Sequence, residues 1–244
     1  MSSYREIAQR IAKIVISPDS VLGFWNGVLS VPTDIGYLAY GFIDTDSRSI
    51  REAERIRMMT AIRYGILKNH NFIKTVEIVF DTFNKYVPEE KQNSIYSKTG
   101  FSIAGRATTN TLVSARLAQA VAQNGGAKVR LRGGIIGNML LAGGMAERSI
   151  YTSQKLKTYA PEVYNALRAR NYDLLYFFLE PALQPFVEAL HVKWSNGTPA
   201  FNQIIGEVEN EIQKRGANRA RNELRIRFYR WFARIFMRLL VFPF

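Results

Sequence analysis

Cysteine is missing from this chain, and histidine occurs only twice, at His70 and His191. The first absence excludes disulfides, thiolate metal sites and a cysteine nucleophile, so the fold must hold without covalent staples. The two histidines are far apart and have no carboxylates at ligand spacing, which favours packed or surface roles over chemistry. Asp44 and Asp46 occupy the first two ligand positions of a calcium loop, but Arg48 stands at the third and no glycine follows at the sixth; loop capping is their expected job. There is no P-loop, strand-linked G-x-G-x-x-G, G-x-S-x-G elbow or H-E-x-x-H. No catalytic, cofactor or metal site is therefore expected, although a helical enzyme with a dispersed carboxylate site stays open.

Acidic residues are also scarce. Twenty Asp and Glu face 33 Lys and Arg, a formal charge of +13 and an isoelectric point near 10.0. Such an excess implies an anionic partner: nucleic acid, anionic lipid or an acidic protein. Hydrophobic residues make up 47% and charged residues 22%, ordinary globular values that argue against disorder over most of the chain. Arg10 and Lys13 interrupt the apolar positions that a secretory signal would need at the N-terminus. Synthesis in the cytoplasm and, for any exported protein, a leaderless route are the expectations.

What the chain does have is concentrated at its end. Lys214 to Phe244 carries nine Lys and Arg against one acid, Glu223, or +8 of the +13, interleaved with Tyr229, Trp231 and five Phe. On a helix at 100° per residue, Arg227, Arg230, Arg234 and Arg238 fall in one stripe about 80° wide, beside an apolar face of Leu224, Phe228, Trp231, Phe232, Ile235 and Leu239. A narrow cationic stripe beside aromatics suits anionic headgroups, with the arginine stems snorkelling. Docking on an internal core, or stacking of nucleic-acid bases on Tyr229, Trp231 and Phe232, are the other readings of the same segment.

The remaining periods are helical. Apolar positions 7, 8, 11, 14 and 15 predict an amphipathic helix from Ser3 to Ile16, ended by Ser17-Pro18-Asp19-Ser20. Val21 to Ile43 runs 23 residues with one charge, Asp34; Pro32-Thr33-Asp34 divides it into two apolar helices too short to cross a bilayer alone. Ser49 and Glu52 form a capping box for a helix from about Ile50 to Lys68 with a solvent-facing Arg/Glu side. Asn71 to Tyr86 follows with Phe72, Val76, Val79, Phe80 and Phe83 inward, and the two predict a helical hairpin. Ala107 to Gln123 and Gly133 to Ala146 are apolar limbs flanking the basic trio Lys128, Arg130 and Arg132. Gly133 and Gly137 have the small-xxx-small spacing of closely packed helices, and Gly143 and Gly144 continue the small-residue run. Packing in a core and insertion into a membrane are both open for that pair. Tyr151 to Arg170 predicts a helix broken by Pro161, and 174–190 an apolar hairpin interrupted by Glu180-Pro181 and Pro185. Trp194 to Pro199 carries turn chemistry, and a polar helix from Phe201 leads to the tail.

The expected fold is all-α: a multi-helix globular bundle of roughly eight to ten helices, with a domain over 1–213, apolar hairpins at 21–43, 107–146 and 174–190, and a cationic amphipathic helical tail over 214–244. Asp34 and Glu180 each sit in an apolar run near a proline. Such carboxylates either line a water path in a membrane state or cap helices and pair with arginine in a soluble one.

A leaderless, cysteine-free, basic helical chain with apolar hairpins at Val21 to Ile43 and Ala107 to Ala146, and the cationic end from Arg225 to Phe244, resembles the pore-forming bacterial toxins. It is most similar to the small ion-selective pore-forming effectors delivered by type VI secretion. The resemblance is one of organisation and rests on no diagnostic motif. It implies a protein that is soluble or chaperone-held in its producer, inserts into a target cell's inner membrane, depolarises it, forms homo-oligomers and is neutralised by a cognate immunity protein. Arg227, Arg230, Arg234, Arg238, Trp231, Phe228 and Phe232 would meet lipid; Gly133, Gly137, Gly143 and Gly144 would pack or insert; Asp34 and Asn138 would face the conduit. The alternative is a cytosolic helical adaptor whose basic tail binds an acidic protein or nucleic acid.

Overall fold

The computed structural model describes residues 3–17, 44, 48–97 and 135–241; helices make up 88% of these residues, and no strand occurs among them. The described part is all-α. Helix α1 (Tyr4–Ile16) begins at Ser3, whose hydroxyl accepts from the Glu6 amide at 3.2 Å, and buries Ile7, Ala8, Ile11, Ala12, Ile14 and Val15. That stripe is the one its sequence period predicts.

Helix α2 (Arg48–Arg63) ends at a glycine-driven stop. Gly65 has φ +82°, the Ile66 amide reaches the Ala61 carbonyl at 3.0 Å, and the Gly65 amide reaches that of Ile62 at 2.9 Å. This is a Schellman turn, with Ile66 buried beside Ala61. The expected continuation to Lys68 therefore fails at Gly65, and Ser49 lies inside the first turn rather than capping it. Helix α3 (Asn69–Asn84) buries Phe72, Val76, Val79, Phe80 and Phe83 as predicted. α2 takes its main contact from a distant helix, α5, and does not form the expected hairpin with α3.

Helix α4 (Glu89–Ser97) follows Pro88 with Glu89 and Glu90 in its first turn, where acids favour the helix dipole. Helix α5 (Ile135–Tyr159) stops at Ala160, and α6 (Pro161–Arg168) restarts with proline in its first turn, the break expected at Pro161. A 3₁₀ turn (Tyr172–Leu174) then leads into α7 (Tyr176–Val241). The boundary expected at 213/214 falls within α7, where the helical backbone continues.

The part of α7 before Gly197 is contacted by α1 through Arg10 and Glu188, by α3 through Phe80 and Phe186, and by α5 through Lys155 and Glu180. Phe177, Leu179, Ala182, Leu183, Phe186, Ala189 and Leu190 are each at most 1% exposed; the polar residues Glu180, Gln184 and Glu188 share one stripe, and the rest of the helix belongs in a core. The segment 174–190 is thus not a hairpin: after the 3₁₀ turn it is one helix running through Pro181 and Pro185. Each interior proline costs about 3 kcal/mol. Full burial of each large apolar side chain contributes about 1.5–3 kcal/mol, and Phe177, Leu179, Leu183 and Phe186 together outweigh the prolines.

The reversal comes at Gly197, whose φ of 86° and ψ of 173° are non-helical, inside the stretch read as turn chemistry. Phe186 and Phe201 lie on either side of it, and both rings contact Phe83, with centroids 5.2 and 5.7 Å away. An unbroken helix from Phe186 to Phe201 would rise about 22 Å, so the chain must turn between them. The second arm buries Phe201, Ile204, Ile205, Val208 and Ile212. Glu209 ties it to α4 through Lys91 and through Ser94 at 2.5 Å.

Candidate functional site

The densest polar constellation among the described residues is built by α2. Along with Met58 and Ala61, its inward face presents Arg51, Glu54 and Arg57, with Arg55 beside them. Two buried carboxylates receive these groups, Glu147 on α5 and Asp173 in the 3₁₀ turn, each 0% exposed. Arg51 donates to Glu147 at 3.3 Å and Arg55 Nε at 2.6 Å. The Asp44 carbonyl accepts from Arg51, and its carboxylate accepts from the Tyr151 hydroxyl at 2.7 Å.

Asp173 gathers more donors. Arg57 grips both of its oxygens at 3.0 and 2.7 Å, Ser153 donates at 2.6 Å and Arg168 at 3.4 Å. Arg168 also clasps both oxygens of Glu54, at 2.9 and 2.8 Å, while Arg57 Nε reaches Glu54 at 2.9 Å. Burial alone would raise the Glu54 pKa. Hydrogen bonds from Arg168 and Arg57, with their charges, outweigh it and hold the carboxyl below the ordinary glutamate value. Those same bonds raise the pKa of Arg168.

Chemically, the cluster is a clamp. Guanidinium groups do not give up protons in this range, and Asp173 has both oxygens engaged, leaving no open face from which to move a substrate proton. A cleft of about 350 Å³ opens beside it, lined by Arg57, Thr60, Tyr64, Asn71, Arg170 and Tyr172 among others. Its polar walls are largely committed: Tyr172 donates to Asn71 at 3.0 Å, and Asn71 donates to the Ile66 carbonyl at 2.9 Å.

His191 stacks on Tyr159 with ring centroids 3.8 Å apart, and its Nδ1 donates to the Tyr159 carbonyl at 2.8 Å. His70 is exposed at the start of α3. Glu180 pairs with Lys155 at 3.3 Å, a lysine where its sequence position suggested an arginine.

Gly143 is half-buried and Gly144 buried within α5. The backbones of Gly137 and Asn138 lie in the same helix, with the Asn138 side chain outside the described part; Gly133 and Asp34 fall outside the described residues. Arg227, Phe228, Arg230, Trp231, Phe232, Arg234 and Arg238 belong to the helical backbone of α7, and their side chains are likewise outside the described part. Among the described residues no group of three His, Asp or Glu is placed to hold a metal ion. Nor is any helix there long and apolar enough to cross a membrane.

Sequence reasoning did not anticipate the α2 clamp. Its only local trace is the spacing 51, 54, 55, 58, which follows a helical period in charged and apolar residues alike. Comparison with family models, curated protein sequences and solved structures finds no match to this chain.

Proposed function

We propose that this is a membrane-active protein that adsorbs to anionic bilayers through its C-terminal helix and permeabilises them as a pore-forming effector does. The observation that carries the reading is the conjunction of +8 on Lys214 to Phe244 with a helical backbone continuing to Val241. That register is the one in which Arg227, Arg230, Arg234 and Arg238 align. Each arginine at an anionic surface contributes roughly 1 kcal/mol, so four raise partitioning by about three orders of magnitude.

In this reading the bundle carries apolar hairpins at 21–43 and 107–146 that exchange their packing for lipid after adsorption, with Asp34 and Asn138 facing the conduit. Phe228, Trp231 and Phe232 enter the headgroup boundary beside the arginine stripe. The target is a bacterial inner membrane. The implied partners are anionic lipid, further copies of the chain, and an immunity protein or chaperone that holds the producer safe.

The test is the quadruple substitution R227Q/R230Q/R234Q/R238Q in vesicle co-sedimentation at physiological salt. Loss of binding to phosphatidylglycerol vesicles is expected, and unchanged binding would remove the tail from the mechanism. Binding by the wild type without permeabilisation would favour the adaptor reading.

A further inference from the structure

Helix α2 turns Arg51 and Arg57 into the protein against Glu147 and Asp173, while apolar Ile56, Met59 and Ile62 stand on its outward side among charged residues. Ile56 is 59%, Met59 72% and Ile62 43% exposed, and the surface continues past the helix end through Tyr64, 83% exposed, and Leu67. At 100° per residue Ile56, Met59 and Ile62 span a sector of about 120°, opposite the sector of the buried Glu54, Met58 and Ala61. The helix cannot roll to hide this face. Rolling would draw Arg51 and Arg57 away from two carboxylates that are fully buried, leaving uncompensated charge in the core.

From this geometry we infer that the outward face of α2 is a second bilayer-contact surface, seated at the headgroup–acyl boundary of an anionic membrane; the inference rests on the membrane reading above. By the same angles Arg48, Arg55 and Arg63 fall within that sector, between the apolar side chains, with Glu52, paired to Arg55, the one exposed acid there, and exposed Lys68 follows the helix end. Cations interleaved with aliphatic side chains, with a tyrosine at the margin, match headgroup phosphates above acyl chains. A second copy of the chain would bring these like-charged faces together on a protein already at +13. A single convex helix also suits a deformable lipid surface better than a rigid protein groove.

Because the chain has no cysteine, one environment-sensitive fluorophore can be placed at Met59→Cys and, as a reference, at Glu90→Cys, an exposed position on α4. With phosphatidylglycerol-containing vesicles the expected result is a blue shift at 59 and none at 90. Co-sedimentation without a shift at 59 would overturn this face and leave the tail reading intact; no co-sedimentation would overturn both. A shift on pure phosphatidylcholine vesicles, or on polyglutamate and not on vesicles, would overturn the assignment of an anionic bilayer. The triple substitution I56S/M59S/I62S changes only exposed side chains, so a folded protein is expected, with vesicle partitioning lowered at least about tenfold. Unchanged partitioning would overturn the proposal.

Discussion

Replacing Asp173 by alanine tests the α2 clamp most severely. The carboxylate is 0% exposed and accepts from Arg57 twice, from Ser153 and from Arg168. Hydrogen bonds involving charged groups contribute about 1.5–3 kcal/mol each when single partners are deleted, and breaking a buried ion pair costs about 3–5 kcal/mol. Arg57 keeps Glu54 and Asn171 as partners, and Arg168 keeps Glu54, which places the loss near the lower end, about 3 kcal/mol. For a chain of this size that lowers Tm by about 6–12 °C. Urea unfolding of wild type and D173A, followed by far-ultraviolet circular dichroism, gives the difference directly. The companion D173L/R57M removes both charges, and it is expected to recover at least half of the loss because no unpaired ion is left behind. A loss below about 1 kcal/mol in D173A would refute the view that this carboxylate anchors α2.

Two further predictions concern pH and the backbone. Glu54 and Glu162 are held below the ordinary glutamate value of 4.5, so the folded state binds fewer protons than the unfolded one; their contribution is present above about pH 4.5 and is lost as pH falls through the lowered values. Tyr96 and Tyr176 are pushed up from 10.0 by burial, so their contribution is present below pH 10.0 and is lost as pH rises above it. Urea midpoints measured across pH should form a plateau that falls on both sides; stability unchanged down to pH 3 would contradict the carboxylate geometry. Gly197→Ala should cost about 1–3 kcal/mol, because φ 86° with ψ 173° suits glycine alone, even though an added Cβ would meet nothing closer than the Pro199 ring at 3.6 Å. Gly206→Ala, on a helical backbone with no neighbour within 4 Å of its added Cβ, should instead stabilise by about 0.4–1 kcal/mol. Equal effects at the two positions in differential scanning calorimetry would refute the strained turn.

Local signals account for what was legible in the sequence. The stripe of α1, the inward phenylalanines of α3, the break at Pro161 and the turn at Gly197 each depend on period or turn chemistry within a few residues. Non-local pairing accounts for what was not. The orientation of α2 depends on Glu147 and Asp173, which lie 96 and 116 residues away from their arginine partners in sequence; without them, Ile56, Met59 and Ile62 read as the inward side. The run 174–190 looks broken by two prolines until α1, α3 and α5 surround it, and only that burial makes a continuous helix the better solution. α4 is short and weakly periodic; Gln92 and Tyr96 tie it to Asn84 just upstream, and Lys91 and Ser94 tie it to Glu209 on a distant arm. The cationic stripe at 227, 230, 234 and 238 is a pattern of the sequence, to which the structure adds a helical backbone.

Release of potassium or a trapped dye from liposomes tests the central claim most directly. The purified 244-residue chain would be added to phosphatidylglycerol-containing and to phosphatidylcholine liposomes, at low and at physiological salt. Release from the anionic liposomes alone, weakened by salt, is the predicted result. Equal release from both, or none from either while the protein remains folded, would contradict it.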